Sequence, residues 1–372
     1  MDLSEILADI EELVCCESPS ADLAAVARSA EVVAAVGSRR LGVAPERVVV
    51  DGCTHLRWRF GQGPARVLVL GHHDTVWPLG SLATHPFKVD GGVLRGPGCF
   101  DMKSGIVMAM HAIAAGGPRL GVQGVTLLVT GDEEIGSPSS RELIEAEAAG
   151  CRAALVLEAS APGGALKTVR KGVSGYRVRV TGKAAHAGLE PHKGINAAVE
   201  LAHQLLAVTA LADPERGTTV TPTLASAGTT VNTVPAAGEF AVDVRARDAA
   251  EIARVDMAMH VLQPVLPGAG LEIIGRLNRP PMPAGASAGL FARAQQLAAG
   301  LGLRPLTGVE VGGGSDGNFT AGLGVPTLDG LGAVGGGAHA DDEHALVDEL
   351  PGRAALVAAL IEDVLGSLGR KP

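Results

Sequence analysis

The chain has 372 residues, of which 47% are hydrophobic and only nine are aromatic, so its core must be built chiefly from Ala, Val and Leu. Its length allows about two domains. The net charge of -9 argues against nucleic acid or an anionic membrane as the main partner, because both favour basic surfaces.

The first segment is predicted to form an amphipathic helix. Apolar residues recur at helical spacing between Leu3 and Leu13, with acidic residues between them. A secretory signal peptide would instead need a basic start and an unbroken apolar core, and no segment reaches the length of a membrane span. The five cysteines are an odd number without a CxxC pair, which favours reduced thiols. Together these features predict a cytoplasmic protein.

After a second predicted helix at 23–36, the chain alternates between short apolar segments and helical patterns. This alternation is typical of an α/β fold with a mostly parallel sheet. Three predicted strands end in side chains that can bind a metal. The strands and the side chains that follow them are 67–70 with His72, 125–129 with Glu133 and Glu134, and 153–157 with Glu158. Because ligands bind at the carboxyl ends of the strands in such sheets, we expect these side chains to lie close together.

Two acidic positions allow a simpler interpretation when each is taken alone. Asp132, Glu133 and Glu134 form either a solvated turn or a site where a bound cation offsets their repulsion. Asp101 follows a glycine-rich loop and precedes a helical pattern, so it is either a helix N-cap or a ligand. The recurrence of metal-binding residues at three strand ends favours the metal site.

From Val173 the pattern changes to period-two alternation, and the following segments predict the order βαββαβ. This order indicates a separate ferredoxin-like (α+β) insert at 173–282, which divides the α/β domain into 1–172 and 283–372. The second part resumes the α/β pattern and contains a glycine-rich segment that leads to His339. Such glycines suit loops in which the backbone approaches a ligand closely.

Several of these side chains together predict a chemistry. Two imidazoles and three carboxylates suit a pair of zinc ions bridged by one carboxylate. Two metals about 3.5–4 Å apart can share a water, lower its pKa and polarise a carbonyl. Glu133 is adjacent to a ligand and not needed as one, so it is the expected general base, and Asp74 is expected to orient the imidazole of His72. The expected ligands are His72, Asp101, Glu134, Glu158 and His339.

Five spaced motifs resemble those of a known family. They are His72-His73-Asp74-Thr75-Val76, Gly96-Pro97-Gly98 leading to Asp101, Asp132-Glu133-Glu134, Gly182-Lys183-Ala184-Ala185-His186-Ala187-Gly188, and the late His339. The set is similar to that of the di-zinc peptidases of the glutamate carboxypeptidase, aminoacylase and succinyl-diaminopimelate desuccinylase family, and it covers nearly the whole chain in the same order. Glu158 as the third ligand most resembles the glutamate carboxypeptidase branch.

The resemblance implies a di-zinc exopeptidase catalytic domain that a lid domain divides in the sequence. It also implies a homodimer formed through the lid domain. Asp101 would bridge two Zn²⁺ ions, for which Co²⁺ or Mn²⁺ can substitute. One site would be completed by His72 and Glu158. The other would be completed by Glu134 and His339.

The resemblance also implies roles for residues outside the metal site. His186 of the lid would stabilise the oxyanion, either within one chain or across the dimer. A cis peptide bond is implied between Asp101 and Met102. The positions expected to contact the substrate or its carboxylate are Asn232, Arg245, Arg279, Gly313, Gly314 and Ser315.

The predicted function is zinc-dependent hydrolysis of an amide bond next to a free carboxylate, which releases a C-terminal amino acid from a short peptide or an N-acyl amino acid. Deacylation of N-acyl amino acids at the same site is the first alternative. A GxSxG string after a predicted strand permits a serine hydrolase that uses Ser315 and His339, but this hypothesis leaves the other ligands without a role. The third alternative is a catalytically silent binding module that keeps the fold.

Overall fold

The computed structural model describes residues 1–61, 63–116 and 124–366. The chain divides into two compact units, each made of segments that are not contiguous in sequence. The first unit consists of Met1–Val169, Met282–Val311 and Ser315–Pro372, and the second of Arg170–Pro281 and Gly312–Gly314.

Helices and strands alternate through most of the described chain. The helices, numbered in chain order, are α1 (Leu3–Val14), α2 (Leu23–Leu41), α3 (Ser104–Gly116), α4 (Arg141–Ala148), α5 (Ala197–Thr209), α6 (Ala249–His260), α7 (Ala284–Gly300), α8 (Gly317–Gly322) and α9 (Leu350–Gly366). The strands are β1 (Glu46–Val50), β2 (Cys53–Phe60), β3 (Val67–His72), β4 (Lys88–Asp90), β5 (Val93–Arg95), β6 (Val125–Thr130), β7 (Ala153–Val156), β8 (Leu166–Arg170), β9 (Gly172–Thr181), β10 (Thr219–Ala227), β11 (Ala237–Ala246), β12 (Gly270–Arg279), β13 (Gly308–Val311), β14 (Thr327–Leu328), β15 (Gly335–Gly336) and β16 (His344–Leu346).

The first unit contains a six-stranded sheet in the order β1-β2-β6-β3-β7-β14. Strand β3 is parallel to both of its neighbours, β6 and β7, and β14 is parallel to β7. Strands β1 and β2 add an antiparallel edge. The predicted α/β class with a mostly parallel sheet is therefore confirmed, and the carboxyl ends of β6, β3 and β7 lie side by side.

Strand β3 shows why the central strands are apolar at every position. Val67 and Val69 belong to one core cluster, which includes residues of α1, α2, α3, α7 and α9. Leu68 and Leu70 belong to another cluster, which includes residues of α4 and α8. Alternate side chains of a strand point to opposite faces, so a strand covered on both faces needs apolar residues throughout.

The second unit contains a four-stranded antiparallel sheet in the order β10-β11-β9-β12. In β9 the side chains of Tyr176, Val178 and Val180 are buried in a core with α5 and α6, whereas those of Arg177 and Arg179 are exposed. The order of these elements along the chain is βαββαβ, as the period-two pattern predicted.

In the part of the chain that the structure describes, no helix combines the length and apolar character required to cross a bilayer.

Candidate metal centre

Three neighbouring parallel strands deliver acidic and imidazole side chains to one edge of the central sheet. His72 is the last residue of β3. Glu133 and Glu134 follow the end of β6, and Glu158 lies two residues beyond the end of β7. Since these strands are adjacent and parallel, their ends meet, as the sequence predicted.

The five expected ligands form two groups of three that share Asp101. His72, Asp101 and Glu158 make one group, and within it their potential ligand atoms lie within 4.8 Å of one another. The second group, with the same spacing, combines Asp101 with Glu134 and His339. The shared carboxylate presents one oxygen to each group.

In each group an imidazole Nε2 lies close to two carboxylate oxygens. In the first, His72 Nε2 lies 3.4 Å from Asp101 Oδ1 and 3.6 Å from Glu158 Oε1. In the second, His339 Nε2 lies 3.4 Å from Asp101 Oδ2 and 3.2 Å from Glu134 Oε2. These separations bring the donor atoms around two common centres.

Three buried atoms of these groups test whether a cation fits. Among the described residues, His72 Nε2, Asp101 Oδ1 and Glu134 Oε1 are buried without a partner in hydrogen-bonding geometry. Leaving a buried polar atom unsatisfied costs about 1–3 kcal/mol, and more for a charged group. Imidazole nitrogens and carboxylate oxygens are the donors that zinc accepts. The donor set and the unsatisfied atoms therefore fit a pair of divalent cations.

The pKa values of the two imidazoles also reflect the negative charge around the site. Burial favours the neutral form of His72, but the surrounding carboxylates, Asp101 first, outweigh it and hold the pKa of His72 well above its ordinary value. Asp101 and then Glu134 raise the pKa of His339 to about 10. The carboxylates thus favour positive charge at both imidazoles, which is the field that a bound cation requires.

Asp74 connects the first imidazole to the acidic loop. Its backbone carbonyl lies 3.0 Å from His72 Nδ1, and because a carbonyl only accepts, Nδ1 carries the hydrogen and Nε2 is left as the ligand atom. The carboxylate of Asp74 accepts the backbone N–H groups of Glu133 and Glu134, both at 3.2 Å, and the hydroxyl of Ser20 at 2.6 Å. Asp74 therefore holds the general-base candidate and a ligand candidate by their backbone.

Asp132, the first acid of the loop, is buried and belongs to neither ligand group. Its carboxylate accepts from the backbone N–H and the hydroxyl of Ser139, both at 2.7 Å. It accepts the same two kinds of donor from Ser140, at 3.2 and 2.5 Å. These four hydrogen bonds anchor the start of the loop to the segment that leads into α4.

A third cluster of metal-capable side chains is a hydrogen-bond network. Cys53, His55 and Asp132 are close together and buried. Burial, ahead of the charge of Asp132, raises the pKa of Cys53 to about 12, so the thiol stays protonated. His55 Nδ1 accepts the N–H of Gly131, which leaves Nε2 to donate to the hydroxyl of Ser139. Both ring nitrogens of His55 are therefore already engaged.

Asp101 lies in a single wide turn, Cys99–Lys103, that immediately precedes α3. Its backbone there is extended, with φ -117° and ψ 95°. The peptide bond between Asp101 and Met102 is cis, as the resemblance implied. The side chain of Asp101 contributes to both ligand groups, so the N-cap alternative receives no support.

The second unit contains His186 and Asn232 on paired segments. The N–H of Ala187 donates to the backbone carbonyl of Asn232 at 2.9 Å, and both side chains are exposed. His186 Nδ1 accepts the N–H groups of Gly188 and Leu189, both at 3.1 Å. An accepting Nδ1 places the ring hydrogen on Nε2, so the exposed nitrogen of His186 is a hydrogen-bond donor.

Two arginines of the second unit were predicted to contact substrate. Arg245 is half-buried and donates three hydrogen bonds to the carboxylate of Asp243, two residues earlier on β11. Arg279 is largely buried at the end of β12, and its Nη1 lies 3.4 Å from Asn278 Oδ1.

The predicted substrate loop at 313–315 is already engaged within the protein. The carbonyls of Gly313 and Gly314 accept from Arg170 Nη1 at 3.0 and 3.2 Å. Ser315 is fully buried, and its hydroxyl donates to Asp329 Oδ2 at 2.6 Å. The serine hydrolase hypothesis needs this hydroxyl beside an imidazole, and the observed carboxylate partner counts against it. The same burial counts against Ser315 as a substrate contact.

One buried residue of the site was not predicted. Glu343 lies four residues after His339, and its carboxylate accepts the backbone N–H of Asp101 at 3.0 Å. The neighbouring acids Asp341 and Asp342 are exposed. The sequence of this acidic segment does not show which carboxylate is buried. The position of Glu343, four residues after a predicted ligand, was nevertheless a signal.

Comparison with known proteins addresses the family. Residues 68–363 match the model of peptidase family M20/M25/M40. The chain is 33% identical over 319 residues to carboxypeptidase G2 of Pseudomonas sp. (strain RS-16), a match that covers 82% of this chain and 75% of that enzyme. It is 30% identical over 217 residues to succinyl-diaminopimelate desuccinylase 2 of Shewanella loihica, which covers 52% of this chain and little more than half, 56%, of that protein.

A solved structure supports the fold. The M20 family metallo-carboxypeptidase Sso-CP2 from Sulfolobus solfataricus superposes with a TM-score of 0.77 at 15% identity, over 98% of this chain and 100% of that one. The family match spans most of the chain and agrees with the motifs and the fold. The resemblance seen in the sequence is confirmed: the chain is a hydrolase that belongs to peptidase family M20/M25/M40.

Proposed function

We propose that this enzyme binds two Zn²⁺ ions and hydrolyses an amide bond next to a free carboxylate, releasing a C-terminal amino acid from a short peptide or an N-acyl amino acid. The observation that carries the proposal is the pair of ligand groups that share Asp101 and contain buried atoms without hydrogen-bond partners. Co²⁺ or Mn²⁺ is expected to substitute, because the same donors accept them.

The ligands divide between the two ions. His72 and Glu158 would hold one, and Glu134 and His339 would hold the other. Asp101 would contact both through its two oxygens. When bound, the ions would acidify a water and polarise the carbonyl of the scissile amide.

Glu133 is the proposed general base. It is adjacent to Glu134 but lies outside both ligand groups, and its side chain is largely buried. The carboxylate of Asp74 accepts its backbone N–H, which fixes the backbone from which the Glu133 side chain extends. Glu133 would take a proton from the attacking water and pass it to the leaving nitrogen.

His186 is the proposed donor to the oxyanion. Its Nδ1 accepts two backbone N–H groups, which leaves the hydrogen on the exposed Nε2. A neutral imidazole with this tautomer can donate to developing negative charge without first losing or gaining a proton.

The free carboxylate of the substrate needs a cationic or amide-rich partner. Arg245 and Asn232 are our first candidates, and Arg279 and the Gly313-Gly314 backbone are the next. Arg245 is half-exposed and its partner Asp243 lies on the same strand, so a substrate carboxylate would compete with an existing ion pair. The similarity to carboxypeptidase G2 supports peptide-like substrates, whereas the similarity to a desuccinylase supports N-acyl amino acids as the alternative.

We further propose a homodimer formed through the second unit and a cytoplasmic location. Strand β10 is the edge of its sheet, and Leu224 on β10 and Leu206 on α5 are more than two thirds exposed. An unpaired edge next to exposed leucines suits association with a second copy. All five cysteines are free thiols, which suits a reducing compartment. Light scattering of the purified chain measures the mass that tests the dimer.

The proposed chemistry is tested by inhibition and by substrate choice. A chelator should abolish hydrolysis and Zn²⁺ or Co²⁺ should restore it, whereas a serine-directed phosphonate should leave the rate unchanged. The opposite result would contradict the two-metal proposal and revive the serine hydrolase. A panel of dipeptides and N-acyl amino acids, measured with each metal, then separates the carboxypeptidase from the deacylase, because rates on one class should exceed those on the other.

A further inference from the structure

Glu343 is a buried carboxylate whose two oxygens are each occupied by two N–H donors. Oε1 accepts from the backbone N–H groups of Phe100 and Asp101, at 2.9 and 3.0 Å. Oε2 accepts from the backbone N–H of Gly98 at 3.0 Å and from the indole N–H of Trp77 at 2.6 Å. The side chain is only 3% exposed, so these donors replace water around the carboxylate.

Three of the four donors lie in, or immediately before, the turn that carries the shared ligand. Gly98 has a positive φ of 71°, and a Cβ there would lie 2.5 Å from Thr75 Cγ2, so this turn has one narrow backbone path. Along that path the N–H groups of Gly98, Phe100 and Asp101 converge on one point. The carboxylate of Glu343 occupies that point and fixes the backbone from which the Asp101 side chain extends.

The other end of Glu343 belongs to the turn that carries His339. The N–H of Glu343 donates to the carbonyl of Ala340 at 3.0 Å, and the N–H of Ala340 donates to Gly337 at 2.9 Å. His339 itself is half-exposed and has a positive φ of 63°, so its own burial does little to hold it. Immediately after Glu343, β16 pairs with β5 and β15, which anchors the turn to the body of the first unit.

We infer that Glu343 is a positioning residue for the metal group of Asp101, Glu134 and His339: its backbone shapes the His339 turn while its carboxylate holds the Asp101 turn, so that it sets the separation of two ligands from distant parts of the chain. This inference rests on the proposed two-metal function. Glu343 touches neither ion nor substrate and acts through the two turns.

The arrangement of donors makes Glu343→Gln an isosteric test. A glutamine has one accepting oxygen and one NH₂ group, so whichever pair of donors faces the NH₂ loses its acceptor and meets another donor. The volume of the side chain is nearly unchanged, and the hold on the backbone at Gly98–Asp101 is weakened in either orientation, because each donor pair includes an N–H of that segment. Loss of partners that orient metal ligands typically costs about 10–100-fold in metal affinity.

The experiment measures Zn²⁺ binding by the metal-free full chain, with competition against a chromophoric chelator, for wild type, E343Q and D342N. Asp342 is the matched control because it is the adjacent acid on the same turn and is exposed. The wild type should bind two ions, and D342N should bind both with the same affinities as the wild type. E343Q should bind at least one of its two ions about 10–100-fold more weakly at a temperature at which circular dichroism shows it folded. A residue that merely stabilises the fold would lower the unfolding temperature and leave the affinity of the folded chain unchanged.

Three outcomes separate the possibilities. A wild-type chain that binds no Zn²⁺ would contradict the proposed function. A folded E343Q that binds both ions as tightly as wild type would overturn only the role of Glu343. If E343Q does not fold, E343D keeps the charge with a shorter arm that cannot reach both donor pairs, and wild-type affinity in E343D would overturn the inference.

Discussion

The ligand groups of the first unit and the substrate candidates of the second unit are held in opposite ways. His72 and Asp101 have buried atoms without partners, so the fold of the first unit maintains an arrangement that is costly until a cation binds. His186 and Asn232 are exposed, and His186 makes its hydrogen bonds within its own turn. Their arrangement is stable without any ligand.

The two regions therefore differ in what their contacts indicate about function. In the first unit, physical chemistry alone indicates a missing partner, because folded proteins rarely leave buried charged groups unsatisfied. In the second unit, the hydrogen bonds of His186 stabilise its turn whether or not a substrate is bound. Substitution of a substrate candidate in the second unit should therefore change turnover without changing metal content.

The largest effect is expected from Glu133→Gln in the first unit. The amide keeps the size of the side chain but cannot take a proton, so the rate should fall by about 10²–10⁴ while roughly two metal ions per chain remain. Hydrolysis rates combined with metal analysis check this outcome. Glu142→Gln, at an exposed acid on the following helix, is the control and should retain full activity. Near-wild-type activity of the Glu133 variant would remove Glu133 as the base.

The sequence could predict which of the proposed ligands come together where a ligand follows a recognisable strand. His72 and Glu158 come at or just after the ends of buried apolar strands, and residue type with strand order places them together. The βαββαβ order of the second unit was equally readable from periodicity. Strands β4, β5, β15 and β16 were not, because two or three residues carry no periodic signal.

What the sequence could not reveal is which polar side chains of the loops are buried and what they contact. Asp132 looks like a solvated acid in the sequence, yet it is buried with four donors from two serines. Glu343 and Ser315 show the same limit, because neither composition nor spacing reports which polar residue of a loop is enclosed. Such contacts depend on the three-dimensional path of the loops, which the sequence pattern does not report.

A smaller effect is expected from His186→Ala in the second unit. Loss of one donor to an oxyanion typically lowers kcat by about 10²–10³, and metal content should stay at the wild-type level. Steady-state kinetics and metal analysis on the same samples provide the measurement. His192→Ala is the matched control, since His192 is another exposed imidazole of the second unit. Loss of metal would make His186 a ligand, and an unchanged kcat would leave it only a role in its turn.

The smallest effect concerns Glu251, which contrasts with Asp101 because it is a buried carboxylate with all its partners in place. It accepts from Arg254, Arg216 and Thr218 at distances between 2.8 and 3.1 Å. These hydrogen bonds, that of Arg254 first, lower the pKa of Glu251 to about 2. The unfolded chain therefore binds a proton more readily, and the stabilisation is present above about pH 4.5 and is lost as the pH falls towards 2.

Glu251→Gln should therefore lower the stability of the second unit at pH 7 by about 1–3 kcal/mol and flatten its pH dependence below pH 4.5. Tyr176 is the sole tyrosine and lies in the second unit, so its absorbance reports the unfolding of that unit, while metal content should not change. Glu272→Gln, at an exposed acid on β12 of the same unit, should shift stability by less than about 0.5 kcal/mol. An acid slope that survives in the Glu251 variant would show that other carboxylates carry it, and a loss of metal would contradict a role of Glu251 in the stability of the second unit alone.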